Sequence, residues 1–344
     1  MSNVTVIGAG SWGTALAMVL ADNNHQVRLW ARRDEQINEI NQQHRNEAYL
    51  PGVELPHQII GYTDLAQAVE GVEVLLLVVP TIAIRETVRS LREALTTPVT
   101  IIHASKGIEP GTHKRISEMI EDEFKGTDFL KDVVVLSGPS HAEEVSMRQP
   151  TTVTVSSLNH EASSLAQDLF MNQHFRVYTN QDLIGVETGG ALKNIIALVC
   201  GLTNGLGMGD NTKAAIMTRG LAEITRLGVK QGANPLTFAG LSGLGDLIVT
   251  CTSVHSRNFR AGKMIGEGQS LDEVLRKMGM VVEGIRTTQA AYELANELDV
   301  EMPITSALYE VLFEGIHPKE ASEKLMGRVK KHEVEHISDF LESE

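Results

Sequence analysis

The stretch "NVTVIGAGSWGTALA", residues 3–17, constrains the fold of this chain more than any other. A β-branched run leads into Gly8, Gly10 and Gly13, spaced G-x-G-x-x-G, and a helix-forming run follows at once. Alone, such a triplet is a weak signal, because glycine also serves ordinary turns. Between a strand and a helix it acquires a physical meaning. Gly8 permits the tight turn, Gly10 lets the backbone approach a pyrophosphate, and Gly13 allows close helix packing. The helix N-terminus then offers N–H groups and partial positive charge to phosphate. The expected ligand is a dinucleotide, with Ser11 and Trp12 on the turn that meets it.

The next 170 residues repeat the strand–helix alternation. Apolar runs at Val4–Gly8, Val27–Trp30, Val72–Pro80, Val99–Ser105 and Val133–Gly138 read as strands, with helix-period stretches such as Thr14–Asp22 and Ile82–Leu95 between them. "TTVTVSS" from Thr151 and "FRVYT" from Phe175 add two more. Continuous rather than alternating apolar strands imply a sheet covered on both faces, hence a parallel α/β sheet. After about residue 183 strand-like runs stop, and Ala/Leu/Ile/Met segments punctuated by Gly, Asn and Pro continue to Arg328. The expected organisation is a dinucleotide-binding domain over 1–183, an all-helical domain over 184–330 and a charged tail over 331–344. A chain of 344 residues is long enough for two such cores.

The second strand ends in "LWARRDEQ". An acid here would accept hydrogen bonds from a ribose 2′-OH, whereas Arg32 and Arg33 suit a 2′-phosphate. NADP(H) is therefore favoured and NAD(H) remains possible, with Asp34 as the feature that argues for the latter. The formal net charge of -14 disfavours nonspecific binding to nucleic acid or an anionic membrane. Cys200 and Cys251 sit beside apolar or small residues and are expected as reduced core thiols. No basic and apolar leader precedes the first strand and no uninterrupted apolar run approaches membrane-spanning length, so a cytoplasmic location is expected.

Polar residues out of keeping with their surroundings mark the chemistry. "VETGGALKNIIALVCG" places Lys193 within a small, apolar helical run, where an ammonium without a partner is expensive. "HASKGIEPG" puts Lys106 beyond the carboxyl end of an apolar strand, where open α/β sheets bind ligands. "GLSGLGDLIVTC" carries Asp246, and "TSVHSRNFRAG" sets Ser256, Arg257 and Asn258 at a helix start, where a hydroxyl, a guanidinium and an amide can cradle phosphate.

Together these residues resemble the bacterial NAD(P)-dependent glycerol-3-phosphate dehydrogenase family, from the N-terminal turn almost to the tail. The resemblance rests on "GAGSWGTALA", "YLPG" (Tyr49–Gly52), "SKGIE", "SGPSHAEE", "GGALKNIIA", "TRGLAE", "GLSGLGDLIVTCTS", "SRN", "VVEG" and "EMPI". It implies a Rossmann-like domain followed by a helical domain of the 6-phosphogluconate-dehydrogenase type, paired as a homodimer. It implies reduction of dihydroxyacetone phosphate to sn-glycerol 3-phosphate, feeding phospholipid synthesis. By resemblance Lys193 is the general acid/base, and Lys106, Gly138, Ser140, Lys193, Asp246, Ser256, Arg257 and Asn258 meet substrate. Ser11, Trp12, Arg32, Arg33, Lys106, Ala142, Arg257, Val281 and Glu283 meet the cofactor. The chain departs where many members read Thr-Phe-Ala-Lys after "SGP": here stand Ser140, His141, Ala142 and Glu143, which keeps the hydroxyl and reverses a charge. A lysine lowered toward pKa ~7–8 by burial or a neighbouring cation can both polarise a ketone and protonate the resulting alkoxide.

No metal is expected. "HEVEH", His332–His336, formally matches a zinc-helix spacing, but an acid lies between the histidines and no nearby segment offers a third ligand. Two other readings stay open from the residues: a two-domain dehydrogenase for a non-phosphorylated hydroxyacid, and an NADP(H)-binding redox sensor without turnover.

Overall fold

The computed structural model describes residues 2–279 and 281–330; His332–His336 and the expected charged tail lie outside them. Two compact units emerge: residues up to Lys106 with Lys114–Glu187, and Gly107–His113 with the chain from Thr188 onward.

The first unit is an eight-stranded sheet in the order β3-β2-β1-β4-β5-β6-β7-β8. The strands are β1 (Asn3–Ile7), β2 (Gln26–Trp30), β3 (Ile59–Tyr62), β4 (Val74–Leu77), β5 (Val99–His103), β6 (Leu130–Ser137), β7 (Thr151–Ser156) and β8 (Phe175–Asn180). Its helices are α1 (Ser11–Asp22), α2 (Asp34–Gln43), α3 (Leu65–Val69), α4 (Ile84–Ala94), α5 (Ile116–Phe124), α6 (Ala142–Ser146) and α7 (His160–Phe170). Strand residues alternate between two cores. Val74, Leu76 and Leu136 join Leu16 of α1 and Phe170 of α7, while Leu75, Leu77 and Ile101 join Val88 of α4 and Met119 of α5. Burial on both faces is what continuous apolar strands require.

Two features differ from the sequence reading. Strand β3, "IIGY", pairs in parallel with β2 and is short and interrupted by Gly61, which hides it in the sequence. The sheet is also not wholly parallel, because β7 runs antiparallel to β6 and β8 follows β7. The connection between β6 and β7, residues 138–150, carries only the five-residue α6 where a parallel crossover usually carries a full helix.

The second unit is helical: α8 (Leu183–Gly205), α9 (Asp210–Lys230), α10 (Asp246–Thr252), α11 (Arg257–Gly266), α12 (Leu271–Met278), α13 (Glu283–Glu297), α14 (Pro303–Phe313) and α15 (Pro318–Met326), with a π-turn at Leu241–Gly245. Helix α8 begins in the first unit and passes into the second at Glu187/Thr188. By length and composition it could cross a membrane, yet 94% of its most apolar window is buried inside the protein. Helix α11 approaches it closely: a Cβ on Gly201 would lie 2.0 Å from the Phe259 carbonyl oxygen. The Gly107–His113 segment packs with this unit because the His113 ring lies 3.0 Å from Glu293 and 3.1 Å from Glu297 of α13.

Candidate active site

In the sheet unit the glycine turn has the geometry that a diphosphate needs. Gly8 adopts φ +113°, and a Cβ there would meet the Val78 carbonyl oxygen at 2.4 Å. A Cβ on Gly13 would lie 1.9 Å from the Gly8 carbonyl oxygen, so only glycine lets α1 start this close to the turn. A Cβ on Gly10, in contrast, would meet nothing within 4 Å, which leaves open space beside the backbone. The N-cap of α1 is Gly10, which makes no side-chain cap bond among the described residues, so the first N–H groups of the helix can meet an anion. The indole N–H of Trp12 is buried without a hydrogen-bond partner among the described residues. An uncapped helix start, open space and an orphan donor fit a dinucleotide's pyrophosphate.

The Ser11 hydroxyl donates to the Tyr49 carbonyl at 2.7 Å, which ties the turn to the following segment. Arg33 donates to Gln36 at 3.1 Å and to the Tyr49 hydroxyl at 3.3 Å, its guanidinium 5.5 Å from the Tyr49 ring centre. Arg32 is exposed beside it, and Asp34 is exposed in the first turn of α2.

Lys106, Gly138 and Ser140 come together. The Gly138 carbonyl accepts from Lys106 Nζ at 3.4 Å and from the Ser140 hydroxyl at 2.9 Å. Ala142 is buried at the start of α6, so the position keeps its small residue while the neighbouring Glu143 is partly exposed. The sheet unit also holds a buried network that the sequence did not display. Glu187 accepts from the Ser117 N–H at 2.8 Å, the Ser117 hydroxyl at 2.6 Å and Arg115 at 2.8 Å. His103 Nε2 lies 3.1 Å from Glu187, close enough for an ion pair though not aligned as a hydrogen bond. Burial pushes the Glu187 carboxyl up, but His103, Arg115 and Ser117 together outweigh it and hold the group below the usual range.

In the helical unit Lys193 is only 7% exposed and Asp246 1%. The lysine ammonium pairs with the Asp246 carboxylate and donates to the Thr250 hydroxyl at 2.8 Å. Thr250, one turn after Asp246 on α10, donates in turn to the Asp246 carbonyl at 2.6 Å. Lys193 thus has an anion among its partners in this unit. Burying such a pair is tolerable because geometry and extra hydrogen bonds offset desolvation.

The Ser256–Arg257–Asn258 stretch divides its tasks. Ser256 caps α11, its hydroxyl accepting from the Phe259 N–H at 3.2 Å. The Asn258 amide is buried, donating to Asn194 at 2.8 Å and accepting from the Gly284 N–H at 2.9 Å. It thereby links α11 to α8 and α13 through its oxygen and one amide hydrogen. Arg257 is exposed and donates to the Val281 carbonyl at 3.3 Å, beside Glu283 in the first turn of α13. Cys200 and Cys251 are free and buried, and burial with Cys200 alongside pushes the Cys251 thiol well up.

Two family profiles match the chain: the NAD-dependent glycerol-3-phosphate dehydrogenase N-terminus over residues 3–163 and the C-terminus over 182–323. Relatives named glycerol-3-phosphate dehydrogenase [NAD(P)+] include one from Shouchella clausii, 70% identical across 98% of this chain and 99% of its own. Another, from Halalkalibacterium halodurans, is 70% identical across 99% of this chain and 98% of its own. The crystal structure of glycerol-3-phosphate dehydrogenase from Coxiella burnetii superposes with a TM-score of 0.90 at 37% identity, covering 95% of this chain and 99% of that one. Glycine turn, buried lysine–aspartate pair and full-length similarity agree, and the chain belongs to the NAD-dependent glycerol-3-phosphate dehydrogenase family.

Proposed function

We propose that this chain reduces dihydroxyacetone phosphate to sn-glycerol 3-phosphate with NADPH or NADH, reversibly, in the cytoplasm and for glycerophospholipid synthesis. The observation that carries the reading is the buried Lys193 ammonium held by Asp246 and Thr250. A bound reduced nicotinamide supplies the hydride. Lys193 donates a hydrogen bond to the ketone oxygen and then its proton to the alkoxide, which completes the alcohol. Asp246 and Thr250 hold the Nζ in place. Lys106, Gly138 and Ser140 contact substrate from the sheet unit. Ser256, Arg257 and Asn258 meet the substrate phosphate at the start of α11, which Ser256 also caps.

The division of labour follows the expected domains: residues 1–183 hold most of the cofactor, and 184–330 supply the proton and the remaining cofactor contacts. Gly8, Gly10, Ser11, Trp12 and Gly13 receive the pyrophosphate, with Lys106, Ala142, Arg257, Val281 and Glu283 completing the cofactor contacts. NADPH is preferred, because Arg32 and Arg33 both stand after β2 and the exposed Asp34 is a helix-start residue. A homodimer is the expected assembly, and no membrane insertion is proposed because the apolar surface of α8 is already covered.

The test is consumption of reduced cofactor on adding dihydroxyacetone phosphate, with NADPH and NADH, in wild type and in Arg32→Ala/Arg33→Ala. Turnover with both cofactors is expected, and the double variant should weaken NADPH far more than NADH. Absence of turnover would overturn the activity; equal losses would remove the arginines from 2′-phosphate recognition.

A further inference from the structure

We propose that Asn46, together with Gln36, is a positioning residue for the cofactor: the two buried amides hold the Ala9 carbonyl inward and thereby aim the Gly10 N–H at the pyrophosphate. The inference rests on the glycine turn being the dinucleotide site.

The Ala9 carbonyl lies inside the G-x-G turn and accepts from Gln36 Nε2 at 2.6 Å and from Asn46 Nδ2 at 3.0 Å. Both lone pairs of that oxygen are therefore occupied. Gln36 and Asn46 are buried and bonded to each other at 3.1 Å, and Asn46 Nδ2 also lies 2.8 Å from the Thr14 hydroxyl on α1. The backbone around Asn46 is fixed as well, since its carbonyl accepts from the Tyr49 and Leu50 N–H groups at 3.0 and 2.8 Å. Ser11 binds back to Tyr49, so the 46–50 segment holds the turn at two points.

Peptide planarity turns this anchoring into a functional device. In a trans peptide the C=O of Ala9 and the N–H of Gly10 point in opposite directions. Holding the carbonyl inward with two amides holds the Gly10 N–H outward, at a residue where even a Cβ would meet nothing within 4 Å. A turn freed to rotate would present carbonyl lone pairs to a diphosphate instead of a donor. Glycine on both sides of Ala9 makes that rotation easy, which is why the carbonyl needs an anchor.

Calorimetric titration of the full-length protein with NADH and with NADPH tests the idea in wild type, Asn46→Ala, Asn46→Asp and Thr14→Val. Asn46→Asp keeps the side-chain shape and replaces the donor to Ala9 by an acceptor. Both Asn46 variants should weaken the two cofactors by the same factor, roughly tenfold, equivalent to ~1.4 kcal/mol. Turnover at saturating cofactor and KM for dihydroxyacetone phosphate should stay at wild-type values. Thr14→Val removes another Asn46 partner but leaves both Ala9 bonds, so it should lower the melting temperature without moving cofactor affinity. Gln36→Leu serves as the second variant if Asn46→Ala does not fold. Unchanged cofactor affinity in folded Asn46→Asp or Gln36→Leu overturns the proposal, as does a Thr14→Val loss equal to that of Asn46→Ala. A wild type that binds neither cofactor would sink the reading of the glycine turn and this proposal with it.

Discussion

Arg257 is the residue whose surroundings most sharpen a prediction. Ser256 and Asn258, its neighbours, also serve as a helix cap and as the link to Asn194 and Gly284, while Arg257 is exposed at the first position of α11. If it grips phosphate, Arg257→Ala costs ~1.5–3 kcal/mol, the range for hydrogen bonds to charged groups. That loss belongs to dihydroxyacetone phosphate and not to unphosphorylated dihydroxyacetone. The ratio of kcat/KM for the two substrates, at saturating NADPH, should collapse toward unity in the variant. An unchanged ratio would place the phosphate elsewhere, with Lys106 next. At this scale the sequence was legible where a residue clashed with its surroundings, as Lys193 does in an apolar run. Thr250 was not, because a threonine in "IVTCT" looks ordinary until α10 sets it one turn from Asp246 and beside Lys193. Asn46 and Gln36 stayed hidden for the same reason: their partner is a backbone carbonyl that no pattern displays.

Glu223 shows what an element can conceal. It sits on α9, 1% exposed, and its carboxyl accepts from the Ile304 and Thr305 N–H groups at 2.6 and 3.1 Å, capping α14 from another helix. Burial pushes this carboxyl up to about 7, against the pull of those donors and of Arg226. The folded protein therefore keeps a proton that the unfolded chain, with its ordinary value of 4.5, has lost. Stability from this group is present below about 4.5 and declines as pH rises to about 7. The full change corresponds to ~3 kcal/mol. Glu223→Gln abolishes the titration, so thermal midpoints of variant relative to wild type should rise between pH 5 and pH 8. A difference that stays constant with pH would show that Glu223 does not titrate there. Strands were the most legible elements, because buried β-branched runs leave little ambiguity. The brief β3 was not, and although β7 and β8 read as strands their reversed direction did not show, since strand composition does not encode pairing direction.

The whole molecule divides into a sheet unit and a helical unit, a change of texture visible in the sequence near residue 183. The sequence did not reveal that Gly107–His113 packs with the helices, because the carboxylates that hold His113 lie some 180 residues away at Glu293 and Glu297. In the proposed division of labour, proton delivery by Lys193 is the central step. Truncating Lys193 would remove the cation paired with the buried Asp246 carboxylate, a loss of ~3–5 kcal/mol that confuses chemistry with folding. Lys193→Arg avoids this: a guanidinium keeps the positive charge beside Asp246 but does not release a proton in proteins. The decisive measurement is the single-turnover rate of NADPH oxidation by dihydroxyacetone phosphate in Lys193→Arg, with NADPH affinity and melting temperature measured alongside. Retained affinity and fold with a rate lowered ~10²–10⁴-fold is the expected result. A rate near that of wild type would contradict Lys193 as the proton donor.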